Sequence, residues 1–263
     1  MTKKIVIALV VLIAAVSVVA LPTWNDTDEA AYQGWIEADF VFVGPDEAGR
    51  VVTLSVREGD HVEERAPLFT LDDDLQQAEV NQVRAQVTNA RQTLDRAQQL
   101  AKVNAGTQRA VDDAEMTMRT AEARLNSAQT RLTRRKVFSP VSGTVQQVYF
   151  RQGEVAAAGR PVVALLPPAN IKVRFFVPEG RLPEIAIGET VRIKCDGCPA
   201  EIAARVSFIS RTAEYTPPVI YSSEERSKLV FMVEARPAES DRLRVGQPVS
   251  VALGASQARE AKR

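Results

Sequence analysis

The residues that could support chemistry are few. One histidine, His61, and two cysteines, Cys195 and Cys198, are the whole complement of imidazole and thiol in 263 residues. A Ser/His/Asp triad would have to be built on His61. A zinc site would have to combine His61 with the single cysteine pair, one ligand short of the usual four. Cys195-Asp-Gly-Cys198 has the spacing of a redox pair, half a zinc site or a local disulfide. A thioredoxin-like pair opens a helix in a βαβ unit, whereas this one follows the strand-like Val191-Arg-Ile193 and precedes Pro199. In an exported protein a disulfide closing the turn is the expected state, with free thiols as the alternative. So short a loop would fix the turn more than stabilise the fold. Asp72-Asp-Asp74 could hold a cation, but its place ahead of a helical run suits capping and the helix dipole. His61, next to Gly59-Asp60 at a turn, reads as a surface residue. No catalytic, cofactor-binding or metal-binding residues are expected, and the chain reads as a non-enzyme.

Composition narrows the field further. Lys plus Arg and Asp plus Glu both number 33, giving no formal net charge. Nucleic-acid-binding domains usually carry a basic excess, so that class is disfavoured. A hydrophobic content of 45% is ordinary for a chain that buries a core.

The elements that must position any working surface are more legible. Between Phe69 and Phe138 there is no aromatic residue, no proline and one glycine, Gly106. Val80, Val83, Val87, Ala90, Leu94, Ala97 and Ala101 alternate steps of three and four. Val111, Ala114, Met118, Ala121, Leu125, Ala128 and Leu132 repeat the pattern. Both runs are a and d positions of heptads and predict a narrow seam that another helix must cover. With Asn104 and Gly106 supplying a turn, residues 73–136 are expected to form an antiparallel helical hairpin, each arm about 45 Å long. Two helices of an ordinary globular bundle are the alternative.

Flanking this insert is a repeat. With a shift of 94, residues 48–71 fall on 142–165 with six identities: Gly49/Gly143, Val51/Val145, Arg57/Arg151, Gly59/Gly153, Pro67/Pro161 and Leu71/Leu165. Each copy alternates apolar and polar residues and then turns at Gly-Asp or Gly-Glu. Two half-sandwiches are expected, 34–72 and 137–168, paired across a pseudo-twofold axis because neither buries its face alone. Residues 169–254 show about five short strand patterns and predict a small β-barrel. A polar tail, 255–263, follows. At the other end, Lys3 and Lys4 precede an uncharged apolar run, Ile5 to Leu21, about 25 Å long as a helix. This predicts a transmembrane anchor within 1–24, with the rest exported. A cleaved signal peptide has the same flanks.

The arrangement resembles the HlyD-type periplasmic adaptor, or membrane fusion protein, family. The resemblance is carried by Gly49-Arg-Val51, Val56-Arg-Glu-Gly-Asp60, Pro67-Leu-Phe-Thr-Leu-Asp72 and Phe138-Ser-Pro-Val-Ser-Gly-Thr-Val145. It implies a lipoyl-like sandwich split by the hairpin, then a barrel, bound to the bacterial inner membrane with its bulk in the periplasm. Glu214-Tyr-Thr-Pro-Pro-Val-Ile-Tyr-Ser222 and Arg226-Ser-Lys-Leu-Val-Phe231 resemble the subgroup that serves ABC-type exporters. The implied partners are that transporter, a TolC-like outer-membrane channel and further copies of the chain, usually six. No cofactor is implied. Family members that dock such a channel carry Arg, then Leu four on, then Ser seven after that, at the hairpin tip. Arg96, Leu100 and Thr107 match except for threonine in place of serine. In the heptad frame Arg96 falls at c and Leu100 at g, one turn apart and off the seam. Two other readings stand beside this one: a structural envelope protein without a transport role, and a biotin or lipoate carrier domain. The carrier would present a lysine on a tight hairpin between the halves, where this chain has its helical insert.

Overall fold

The computed structural model describes residues 31–198, 200–215 and 229–253. The apolar N-terminal run, most of the 214–231 motif and the 255–263 tail lie outside the described residues. The described residues divide into two compact units, one of 36–172 with 239–246, the other of the remaining described residues.

Eight strands of the first unit form a sandwich: β2 (Val41–Val43), β3 (Gly49–Leu54), β4 (His61–Val62), β5 (Pro67–Leu71), β6 (Lys136–Phe138), β7 (Gly143–Val148), β8 (Val155–Ala156) and β9 (Val163–Leu166). They make two four-stranded sheets, β2-β9-β7-β4 and β6-β5-β3-β8. The repeat maps β2 to β5 onto β6 to β9, and each sheet draws two strands from each copy. The copies are therefore interleaved. β3 pairs with β8 at Gly49↔Ala156 and Arg50↔Val155, and β7 with β4 at Gly143↔Val62 and Thr144↔His61. The turn contacts obey the same symmetry: the Gly59 N–H donates to the Val145 carbonyl and the Gly153 N–H to the Val51 carbonyl, both at 2.8 Å. Both glycines have φ near +90°, a conformation that a Cβ would strain. Val51, Leu68, Phe69, Val145, Val162 and Leu165 fill the space between the sheets. Burial of each of these side chains contributes roughly 1.5–3 kcal/mol.

Between β5 and β6 the chain forms α1 (Asp74–Lys102) and α2 (Gln108–Thr133). They pack along their length in opposite directions, with Glu79 near the start of α1 meeting Arg131 near the end of α2. Val80, Ala90, Ala114, Ala121 and Ala128 are buried on the shared seam, and the remaining a and d positions are half-buried. Small alanines at five or more of these positions let the helices approach closely.

The second unit holds a closed barrel in the order β1-β10-β13-β12-β11-β14. Its strands are β1 (Tyr32–Ala38), β10 (Ile171–Pro178), β11 (Thr190–Lys194), β12 (Ile202–Tyr215), β13 (Leu229–Pro237) and β14 (Pro248–Leu253). The sixth strand, β1, closes the barrel by pairing with β14 through Tyr32–Trp35, while its last three residues, 36–38, fall within the sandwich unit. Its Tyr32 pairs with Val251 and its Trp35 with Pro248. Gly34 allows the closure, because a Cβ there would collide with the Arg174 carbonyl on β10. Phe175, Val177, Val191, Ile193, Val233 and Val251 point inward.

Candidate docking surface at the helical tip

The tip of the helical pair is built by a specific stop and a specific start. α1 ends with Asn104 in the left-handed region, φ +56°. The Ala105 N–H then returns to the Leu100 carbonyl (2.9 Å) and the Asn104 N–H to the Ala101 carbonyl (3.1 Å). This is the Schellman pair of bonds, with asparagine where glycine is commonest. α2 begins at Thr107, whose hydroxyl accepts from the Ala110 N–H at 3.2 Å, an N-cap worth about 1 kcal/mol. The turn therefore leaves few of its backbone groups unpartnered.

Arg96 and Thr107 are exposed. Leu100 is 44% and Val103 70% exposed. These residues present an apolar spot with a cation one helical turn away. Leu100 lies against Gly106, where any Cβ would meet its own Cβ at 3.1 Å. The capping role of Thr107 was missed from the sequence, although a threonine immediately ahead of an apolar-periodic run is an N-cap signal. Its hydroxyl already accepts a bond and keeps its proton for donation.

The opposite end of the pair is fixed by charge. The Arg135 guanidinium, 7% exposed, donates to the Ala48 carbonyl (2.9 Å) and to Glu47 Oε2 (3.1 Å). With its amide turned so that the oxygen faces Arg135, Gln76 on α1 accepts from Arg135 Nε at 3.2 Å. Arg131 on α2 bridges Glu47 (2.9 Å) and Glu79 (3.0 Å). The hydrogen bond from Arg131, and then the charges of Arg131, Arg135 and Arg134, hold the Glu47 carboxyl below its ordinary pKa despite some desolvation. Both helices are thus tied to the loop before β3.

The other sequence candidates take structural places. Cys195 and Cys198 are joined as a disulfide across a turn, with their Cα atoms 5.3 Å apart and Gly197 at φ +83°. Of the three aspartates, Asp72 serves the helix start, its Oδ1 accepting from the Asp74 N–H at 3.2 Å. Asp73, at the cap position itself, makes no side-chain cap bond. His61 is exposed on β4. Among the described residues no cluster of three or more His, Cys, Asp or Glu could hold a metal ion, and no helix is long and apolar enough to cross a membrane.

The interleaved sandwich with a helical pair between its strands has a match in a known family model. Residues 39–166 match the barrel-sandwich hybrid domain of RND membrane fusion proteins. By that match the sandwich and its helical insertion are similar to the membrane fusion protein family. A membrane protein of Acidithiobacillus ferridurans, encoded in the asrC 5′ region and assigned to the group UPF0194, is 32% identical over 64% of this chain and 51% of its own length. The alignment with an uncharacterised Haemophilus influenzae protein covers 43% of that protein, so the chain spans about half the length or less of these curated relatives. A UPF0194 membrane protein of Yersinia pseudotuberculosis is 26% identical over 95% of this chain and 98% of its own. Among solved structures, a MacA–MexA chimera carrying the Pseudomonas aeruginosa MexA α-hairpin domain superposes with a TM-score of 0.69, at 17% identity, over 85% of this chain and 80% of that one. The membrane fusion protein Spr0693 of Streptococcus pneumoniae gives 0.66, at 19% identity, over 86% and 98%. These membrane fusion proteins share the fold of this chain.

Proposed function

We propose that this chain is a membrane fusion protein, the periplasmic adaptor of an efflux or secretion system, joining an ABC-type inner-membrane transporter to a TolC-like outer-membrane channel. In this reading the helical pair is a coiled-coil hairpin, and its tip is the channel-docking site. Leu100 fills a small pocket on the channel, Arg96 bonds carbonyls or carboxylates beside it, and Thr107 closes the turn and offers its hydroxyl proton. Residues 1–24 anchor the chain in the inner membrane. The sandwich halves at 34–72 and 137–168 and the barrel at 169–254 pack beside those of other copies, six in the usual assembly. Hairpins then stand side by side as a conduit, and the adaptor breaks no bond itself.

The observation that carries this reading is the exposed Leu100 and Val103 at the far end of a helical pair whose base is clamped by Arg135 and Arg131. Leu100, at C3 of the Schellman turn and against Gly106, stays 44% exposed all the same, and Val103 is 70% exposed. Arg96→Asp changes only an exposed residue, so the expected result is loss of crosslinking to the channel with an unchanged circular dichroism spectrum. Crosslinking at the wild-type level in that variant would remove Arg96 from the site. A structural envelope protein without a transport role predicts unaltered efflux when the gene is deleted; an adaptor predicts that efflux falls.

A further inference from the structure

The sandwich carries one set of strand positions twice, and the two sets differ in a way that burial does not explain. On one outer face His61 of β4 is opposite Thr144 of β7, with Gln146 further along β7. On the other, Val155 of β8 is opposite Arg50 of β3, with Val52 further along β3. The repeat relates the sets residue by residue, each member lying 94 positions from its counterpart. The second face is bare, with Val52 and Val155 exposed. The first meets the loop between β13 and β14, on which Leu243 is buried. A covered face favours apolar side chains and a bare face polar ones. Here the polar set stands beside the loop and the valines face solvent.

Between His61, Thr144 and Gln146 and that loop lies an open cleft of about 520 Å³, a volume typical of small-molecule sites. Every residue lining it belongs to the sandwich unit. Leu166, Ile171 and Leu243 supply an apolar wall, and Asp241 stands on the loop. None of His61, Thr144, Gln146 and Asp241 makes a side-chain hydrogen bond or ion pair among the described residues. Arg244 lines the cleft too, but it has an interaction of its own. The four unpartnered groups share one capacity: carboxylate, hydroxyl, amide oxygen and imidazole can each accept a hydrogen bond. A primary ammonium brings three donors and a positive charge for Asp241.

We propose that this cleft binds an amphipathic amine. Its ammonium rests on Asp241 with Thr144, Gln146 and His61 around it, and its apolar body lies against Leu166, Ile171 and Leu243. The site is separate from the helical tip and does not depend on docking there. A ligand of this kind accounts for polar side chains on the face that the loop covers.

The test reads the fluorescence anisotropy of dansylcadaverine with the full-length chain in lipid nanodiscs, against empty discs. Saturable binding is expected with the chain and only unsaturable partitioning without it. Acetylating the amine of the probe removes its charge and keeps its body, and should weaken binding about five-fold, the upper value for an accessible ion pair. Asp241→Asn should weaken binding of the unmodified probe by the same factor. Gln146→Trp, which fills the cleft from an exposed position, should abolish binding. Val52→Trp, at the equivalent position on the bare face, should leave it unchanged. A signal no greater than that of empty discs overturns the proposal. Equal affinity for the acetylated probe, or binding that survives Gln146→Trp, overturns it too. Loss of binding in Val52→Trp without loss in Gln146→Trp moves the ligand to the other face and has the same consequence.

Discussion

The Leu71 N–H donates to the Arg135 carbonyl at 2.8 Å, so the chain leaves the sandwich and re-enters it at a single point. Everything between these two residues is an insertion closed at its base by the β5–β6 ladder, where Thr70 faces Lys136. Replacing 74–133 with a short turn is therefore expected to leave the sandwich folded. Far-ultraviolet circular dichroism should lose most of its helical signal, while amide exchange in β3, β5 and β7 stays slow. Global unfolding of that variant would show that the helices are part of the core.

Arg135 is the residue on which the base of the insertion depends most. Arg135→Met removes the donor to the Ala48 carbonyl and strips Glu47 of one of its two arginines. Loss of about 2–3 kcal/mol is expected in urea denaturation, because a hydrogen-bonded buried charge leaves its partners unsatisfied.

Glu47 gives the same clamp a pH dependence. Its carboxyl is held below the ordinary value, chiefly by the hydrogen bond from Arg131. A depressed folded-state pKa contributes stability above the unfolded-state pKa and loses it as pH falls through the folded one. Glu47→Gln should be less stable than wild type at pH 7, and the gap should start to narrow below the ordinary glutamate pKa of about 4.3 and close as pH falls through the lower folded-state value. A gap of constant size across that window would show that the charge of Glu47 is irrelevant.

Thr107 separates capping from docking. Thr107→Ala should cost about 1 kcal/mol, and Thr107→Ser should cost little, because serine caps as well. Both can be read from thermal melts. If the serine variant also keeps wild-type channel crosslinking, the β-methyl group plays no part in recognition.

The cysteine pair tests the compartment. In protein taken from the periplasm, neither Cys195 nor Cys198 should react with iodoacetamide until a reductant is added. Cys195→Ser with Cys198→Ser should destabilise the barrel by at most about 2 kcal/mol, the value for so short a loop. Free thiols in the unreduced protein would place these residues in a reducing environment.

The legible parts of the fold were those encoded by local spacing. The alternation of threes and fours from Val80 to Ala101 and from Val111 to Leu132 marks the residues covered on the α1–α2 seam, because a two-helix contact leaves a period that the sequence must carry. The repeat was visible in Gly59 and Gly153, whose turns need positive φ. The interleaving of its copies was not visible, since Gly49↔Ala156 is a long-range choice that alternation in β3 does not specify. That β1 closes the barrel was not visible for the same reason: Tyr32–Ala38 alternates like any strand, and only its pairing with β14 shows it. Arg96 and Leu100 stood out through the resemblance to channel-docking adaptors, with which their positions off the seam agree. Buried Arg135 gave no signal, because an arginine is read as surface until a partner such as Gln76 or Ala48 is known.

Site-specific photocrosslinking in living cells tests the docking account most directly. With the photoreactive residue at position 100 or 103, the account predicts capture of one outer-membrane channel, and no such capture from position 42, where Phe42 is exposed on the sandwich. Capture of that channel from position 42 but from neither tip position would contradict it.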